Sequence, residues 1–82
     1  LQITPPENPE AGKSYEFEKP GNRNFPLDAP IDLIDPDRNA IAKIRVESFT
    51  NRQNLTTGSF IVVKVYRGNE KEVLSVYWRE NQ

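Results

Sequence analysis

Apolar and polar positions alternate along several stretches of this chain, and the clearest alternation lies near its C-terminal end. Residues 59–67 read Ser-Phe-Ile-Val-Val-Lys-Val-Tyr-Arg. After Gly68-Asn69, residues 70–78 read Glu-Lys-Glu-Val-Leu-Ser-Val-Tyr-Trp. Two β-prone runs around a two-residue loop predict a hairpin, and Gly at the first loop position suits a type II′ turn. Counting outward from that turn puts Ile61, Val63, Val65, Leu74, Val76 and Trp78 on one face, the expected core face. Phe60, Val62, Lys64, Tyr66, Lys71, Val73, Ser75 and Tyr77 fall on the other, with Phe60 opposite Tyr77. A lone hairpin is unstable in water, so further strands are required.

Upstream segments supply them. Tyr15 and Phe17 alternate with Ser14, Glu16 and Glu18, the period-2 pattern of a half-buried strand, and Pro20-Gly21-Asn22 ends it as a turn. Residues 31–34 form a short strand with Ile31 and Leu33 on one side. Residues 35–39, Asp-Pro-Asp-Arg-Asn, suit either a turn or a helix start, with Asp35 as cap and Pro36 at the first helical position. The pattern after Asn39 favours a strand over a helix for 36–49. Ala40, Ala42, Ile44, Val46 and Ser48 share one face; Ile41, Lys43, Arg45, Glu47 and Phe49 share the other. Residues 50–58 form a polar loop. About five to seven strands in one domain predict an all-β fold, a small antiparallel sandwich or partly open barrel, of immunoglobulin-like or SH3/OB-like kind.

Proline placement adds a division. All seven prolines lie within the first 36 residues. Because proline lacks a ladder donor, edge strands and loops are expected in the first half and central strands in the second. Residues 1–12, with Pro5, Pro6 and Pro9, read as an extended leading arm, and residues 13–82 as a single β domain. The chain opens on Leu1 and holds no methionine, as expected of a segment that begins inside a longer precursor.

Composition narrows the chemistry. The chain has 82 residues, 35% hydrophobic and 28% charged. Leu, Ile, Val and Phe together make up 21 residues, above the ~20% level below which a packed core becomes doubtful. The net charge of −1 builds in no long-range attraction to nucleic acid or anionic membrane. Cysteine and histidine are absent, which removes disulfides, thiolate and imidazole metal ligands, and the commonest nucleophile and base arrangements. No Gly-rich phosphate loop or nucleophile elbow occurs. The expectation is a protein that is not an enzyme and takes no cofactor.

Three weaker signals remain. Asp35, Asp37 and Asn39 match the first three ligand positions of an EF-hand loop, but Ala40 and Val46 stand where Gly and a bidentate Glu are needed. A turn rich in Asp and Asn accounts for the same residues. The face carrying Phe60, Lys64, Tyr66, Lys71 and Tyr77 has the aromatic and lysine mixture of a single-strand nucleic-acid platform. Val62 and Val73 on that face favour a second small core instead. Asn54-Leu55-Thr56 is a formal N-glycosylation sequon.

Two stretches carry resemblances. Thr4-Pro5-Pro6 together with residues 11–17, Ala-Gly-Lys-Ser-Tyr-Glu-Phe, resembles the opening of bacterial immunoglobulin-like domains; Asp35-Pro36-Asp37-Arg38-Asn39 resembles a turn common in such modules, with Arg38 where Gly is usual. This resemblance implies an extracellular or cell-envelope β-sandwich acting as spacer or binding module. Residues 54–60, Asn-Leu-Thr-Thr-Gly-Ser-Phe, are similar to the cleft-entering loop of chagasin-type cysteine peptidase inhibitors. Leu55 replaces the usual Pro there, Ser59 is inserted before the aromatic, and no second or third inhibitory loop is found.

The sequence therefore predicts a non-catalytic module of a secreted, periplasmic or cell-surface protein, binding a protein or glycan partner. The expected binding residues are Phe60, Lys64, Tyr66, Lys71 and Tyr77 on the sheet face and Asn54, Thr56 and Thr57 in the loop. A barrel for single-stranded nucleic acid and a protease inhibitor using residues 54–60 are the alternatives. No transmembrane segment occurs in the sequence.

Overall fold

A computed structural model describes residues 1–81. Four strands, β1 (Ser14–Pro20), β2 (Pro30–Ile34), β3 (Ala40–Arg52) and β4 (Leu55–Val65), form one antiparallel sheet, and a single helix, α1 (Gly68–Glu80), comes after them. The strand order is β1-β4-β3-β2. Consecutive strands β2, β3 and β4 form a meander, and β1 lies against β4 through a long connection, a Greek-key arrangement. The sheet character matches expectation. A sandwich of five to seven strands is not what the described residues form.

The alternation in 40–46 behaves as a strand, so the turn reading of 35–39 is the one realised. Ala40, Ala42, Ile44 and Val46 are fully buried. Ala42, Ile44 and Val46 make the core with Leu33, Phe17, Phe60 and Val62, and Leu1, Ile3 and Phe25 pack on it from the arm and from the segment after β1. Ala40 lies past a bulge at Ile41, and its N–H donates to the Ser75 hydroxyl of α1. The arm also pairs with β2: the Ile34 N–H donates to the Leu1 carbonyl at 2.9 Å and the Ile3 N–H to the Ile34 carbonyl at 3.1 Å.

Bulges shift the face assignments. Val46 pairs with Phe60 and Ser48 with Ser59, which leaves Glu47 as an extra residue. One extra residue moves every later side chain to the opposite face. Phe49, expected outside, therefore turns inward, where its ring meets Phe25 edge-on at 5.5 Å. Val63 is the extra residue on β4, between the Lys43–Lys64 and Ile44–Val62 pairs. It is 44% exposed instead of lying in the core, while Val62, expected outside, is buried. At the centre of this packing, Gly58 is obligatory, because a Cβ there would collide with the Ser48 carbonyl oxygen.

The largest departure concerns the expected 59–78 hairpin. Only its first half is a strand; residues 68–80 are helical. Gly68 takes the left-handed conformation expected of it (φ 57°), but as the residue that opens a helix. Glu70, Lys71 and Glu72 are strong helix formers, and Glu70 in the first turn and Arg79 in the last complement the helix dipole. Leu74, Ser75 and Trp78 then fall on one helical face and turn toward the sheet. The cross-strand pair Phe60–Tyr77 does not exist.

Candidate functional site

Three of the eight expected binding residues are withdrawn from the surface. Phe60 is fully buried, with ring centroids 5.9 Å from Tyr15 and 6.1 Å from Phe17. Thr56 is also fully buried. Its hydroxyl accepts from the Arg23 N–H at 2.9 Å and lies 2.7 Å from the Gly21 carbonyl and 2.5 Å from Asn51 Oδ1. That knot fastens the segment after β1 to the β3–β4 hairpin, so Thr56 serves the fold. Tyr66 is buried too, and its hydroxyl donates to Asp32 at 2.5 Å.

The other five are exposed but do not form one face. Residues 50–58 are not a loop: they end β3 and begin β4, joined by Gln53-Asn54. Asn54 sits in that tight turn with φ 61°. Thr57 stands between Glu18 of β1 and Thr50 of β3 in register. Lys64 pairs with Glu70 at 2.9 Å. Lys71 lies in the first helical turn near Asp35, and Tyr77 is 52% exposed on the helix.

Asp32 organises the surface that replaces the expected one. It lies between Ile31 and Leu33, both directed to the core, so its side chain emerges on the opposite face. There it accepts from Tyr66 and from the Trp78 indole N–H at 2.9 Å, joining β2, the end of β4 and α1. Burial, and then the bond to Asp32, push the Tyr66 phenol well above its ordinary pKa. Helix α1 thus lies over the sheet face opposite the core. Two further contacts hold it: the buried Ser75 hydroxyl accepts from the Ala40 N–H at 2.9 Å, and Arg38 donates to the Trp78 carbonyl at 3.2 Å.

The Asp35 turn is self-contained. One carboxylate oxygen accepts from the Asp37 and Asn39 N–H groups at 3.0 and 2.8 Å, and the other from the Asn39 amide at 3.0 Å. Burial of Asp35 opposes its ionisation, but the bonds from Asn39 and Asp37 outweigh it and hold the pKa below the usual carboxylate value. Among the described residues no three acidic side chains are grouped to hold a metal ion.

An exposed flank of α1 presents a different surface, with Val73 beside a cleft to Asp32, Lys43 and Tyr66 and Tyr77 beside a cleft to Pro30, Ile31 and Lys43. Val73, Val76 and Tyr77 are 58%, 42% and 52% exposed and share a face by their i, i+3, i+4 spacing. Tyr77 is held edge-on against Trp78 at 5.3 Å. The sequence holds this signal, since Val73, Val76 and Tyr77 have helical spacing, but it becomes visible only once the segment is known to be a helix. No helix among the described residues is long and apolar enough to cross a membrane.

No family model matches the chain, and no curated protein or solved structure matches it either.

Proposed function

We propose that this chain is a non-catalytic interaction module that recognises a protein partner through the exposed flank of α1. The observation that carries this reading is the stripe of Val73, Val76 and Tyr77, three large apolar side chains exposed on one face of a helix whose other face is anchored to the sheet. Amphipathic helices and grooves recognise one another through such anchors. Tyr77 is the aromatic of this set, the residue type most often central to a binding surface. Lys64, paired with Glu70 three residues before Val73, supplies a polar contact beside it, whereas Lys71 lies on the opposite flank of the helix near Asp35.

A secreted or cell-envelope setting accompanies the proposal, supported by the Pro-rich lead and the turn that resemble bacterial immunoglobulin-like modules. The inhibitor alternative loses its main support, because Thr56 and Phe60 of its loop are buried in a strand. The nucleic-acid alternative likewise loses the Phe60 and Tyr66 rings from its platform.

The test compares immobilised wild-type protein with Val73→Glu/Val76→Glu and Thr50→Glu variants. All three should show the same far-ultraviolet circular dichroism. A protein from the source cells retained by wild type and Thr50→Glu, and lost by the helix variant, supports the reading. Equal retention by all three overturns it.

A further inference from the structure

The two edges of the sheet are treated differently. The β2 edge is covered by the arm through the Leu1, Ile3 and Ile34 backbone bonds. Among the described residues, no backbone bond covers the β1 edge in this way. Its orientation is set by the bonds at either end of the strand: the Val62 N–H donates to the Lys13 carbonyl at 2.9 Å, and the Gly21 N–H to the Asn54 carbonyl at 2.7 Å. Odd-numbered residues from 13 to 21 therefore direct their backbone groups toward β4, since the antiparallel ladder repeats every two residues. The N–H and C=O groups of Ser14, Glu16 and Glu18 point away from the sheet. Pro20 falls in the same phase, where its missing N–H costs no ladder bond.

A groove runs along this edge, with Ile3, Thr4, Pro5 and Pro6 of the arm on one wall and Tyr15 and Phe17 of β1 on the other. We infer that this groove accepts an extended segment of a partner protein as a fifth strand, one that alternates basic with apolar residues. Strand addition uses the free backbone groups for affinity and alternate side chains for selection. On the outer face, Glu16 and Glu18 lie exposed two residues apart and would stand beside basic residues of the added strand. On the inner face, Tyr15, Phe17 and the arm prolines receive apolar ones. Lys19, inward and donating to the Gln2 carbonyl at 2.5 Å, disfavours a cation there.

The same charges argue against a second copy of this chain as occupant. Antiparallel β1–β1 pairing centred on Phe17 places Glu16 opposite Glu18 twice, and like charges directly opposite destabilise a ladder. Charged side chains and Pro20 are also the features by which an edge avoids pairing with itself. This site is separate from the α1 stripe, so either surface can fail its test without the other.

The experiment titrates fluorescent heptapeptides of alternating lysine and valine onto the intact protein at low salt. Amide exchange is monitored at Glu16 and Glu18. Saturable binding is expected, with slowed exchange at those two amides. Affinity is expected to fall about tenfold or more for a glutamate–valine peptide, and likewise in a Glu16→Lys/Glu18→Lys variant. A peptide N-methylated at every second residue, in the phase that faces β1, should not bind. Absence of saturation with the lysine–valine peptide, unchanged exchange at Glu16 and Glu18, or equal binding of the N-methylated peptide would each overturn the inference. The last result would mean charge attraction without strand addition. Because exchange is read on wild-type protein, the outcome does not depend on whether the variant folds.

Discussion

The Trp78 indole N–H donates to the Asp32 carboxylate at 2.9 Å across 46 residues of sequence. Asp32 also accepts from Tyr66, so one carboxylate ties the helix to β2 and to the residue that follows β4. The cross-strand lysines Lys43 and Lys64 lie on the same face. Like charges so placed repel, but Asp32 neighbours Lys43 in register and Glu70 pairs with Lys64. Strand, helix and charge pattern therefore depend on the same few residues.

Removing Asp32 tests that dependence. Asp32→Ala leaves the Tyr66 hydroxyl, which is buried, and the Trp78 N–H without their acceptor. Unsatisfied donors of this kind cost about 1 to 3 kcal/mol each, so a loss of about 2 to 3 kcal/mol is expected after allowing for partial exposure. Trp78 is the sole tryptophan, and its fluorescence reports the site directly. Urea unfolding monitored by that emission should show a lower midpoint, together with a shifted native spectrum. An unchanged native spectrum would show that Asp32 does not hold the indole.

The same bond sets an alkaline limit. Burial and the bond to Asp32 raise the Tyr66 pKa in the folded protein above the ~10 of a free tyrosine. A group whose folded pKa is raised adds stability that is fully present below the unfolded value and is lost as pH climbs toward the folded one. Unfolding free energy should fall with pH above about 10. In Tyr66→Phe that fall should be shallower, while near neutral pH the variant is less stable by about 1 kcal/mol for the lost hydrogen bond. Urea titrations at stepped alkaline pH measure both. Identical slopes in the two proteins would exclude Tyr66 as the source.

The strands were legible in the sequence because a sheet with one buried face writes its period into the side chains. Tyr15 and Phe17 mark β1, and the alanines and Ile44 mark β3. The bulges were not legible: nothing in the residue types announces that Glu47 and Val63 are extra, and each flips the face of the residues beyond it. The helix was lost to a real ambiguity. Val73, Ser75 and Tyr77 alternate with Leu74, Val76 and Trp78, as a strand requires, while Leu74 and Trp78 also satisfy i, i+4 spacing. The contacts that decide between the two, Asp32 to Trp78 and Ala40 to Ser75, span 46 and 35 residues, beyond the reach of a local pattern. The candidate site was misplaced for the same reason. Phe60 and Tyr66 share an exposed face only if residues 70–78 form their partner strand; instead the bulge at Val63 separates them, Phe60 is buried in the core and Tyr66 beneath α1, and Tyr77 alone of the expected aromatics stays outside.

The β3–β4 turn offers a change in the opposite direction. Arg52 pairs with Leu55, so Gln53 and Asn54 are the whole loop, and both have positive φ, 52° and 61°. That is the geometry of a type I′ turn, whose twist matches the strands it joins and whose preferred sequence is Asn-Gly. Asparagine tolerates the left-handed region, and glycine enters it with no Cβ to clash. Asn54→Gly should therefore raise stability by about 0.5 kcal/mol, the left-handed strain relieved less the larger entropy that glycine loses on folding. Asn54→Ala should lower it by about 1 kcal/mol, because alanine meets the Cβ penalty without the local hydrogen bonding that asparagine can supply. The bond from the Gly21 N–H to the Asn54 carbonyl survives both changes, since it uses backbone alone. The two variants should move the urea midpoint in opposite directions with the slope unchanged. A shift of the same sign in both would mean that the side chain of Asn54, and not the sign of its φ, governs the turn.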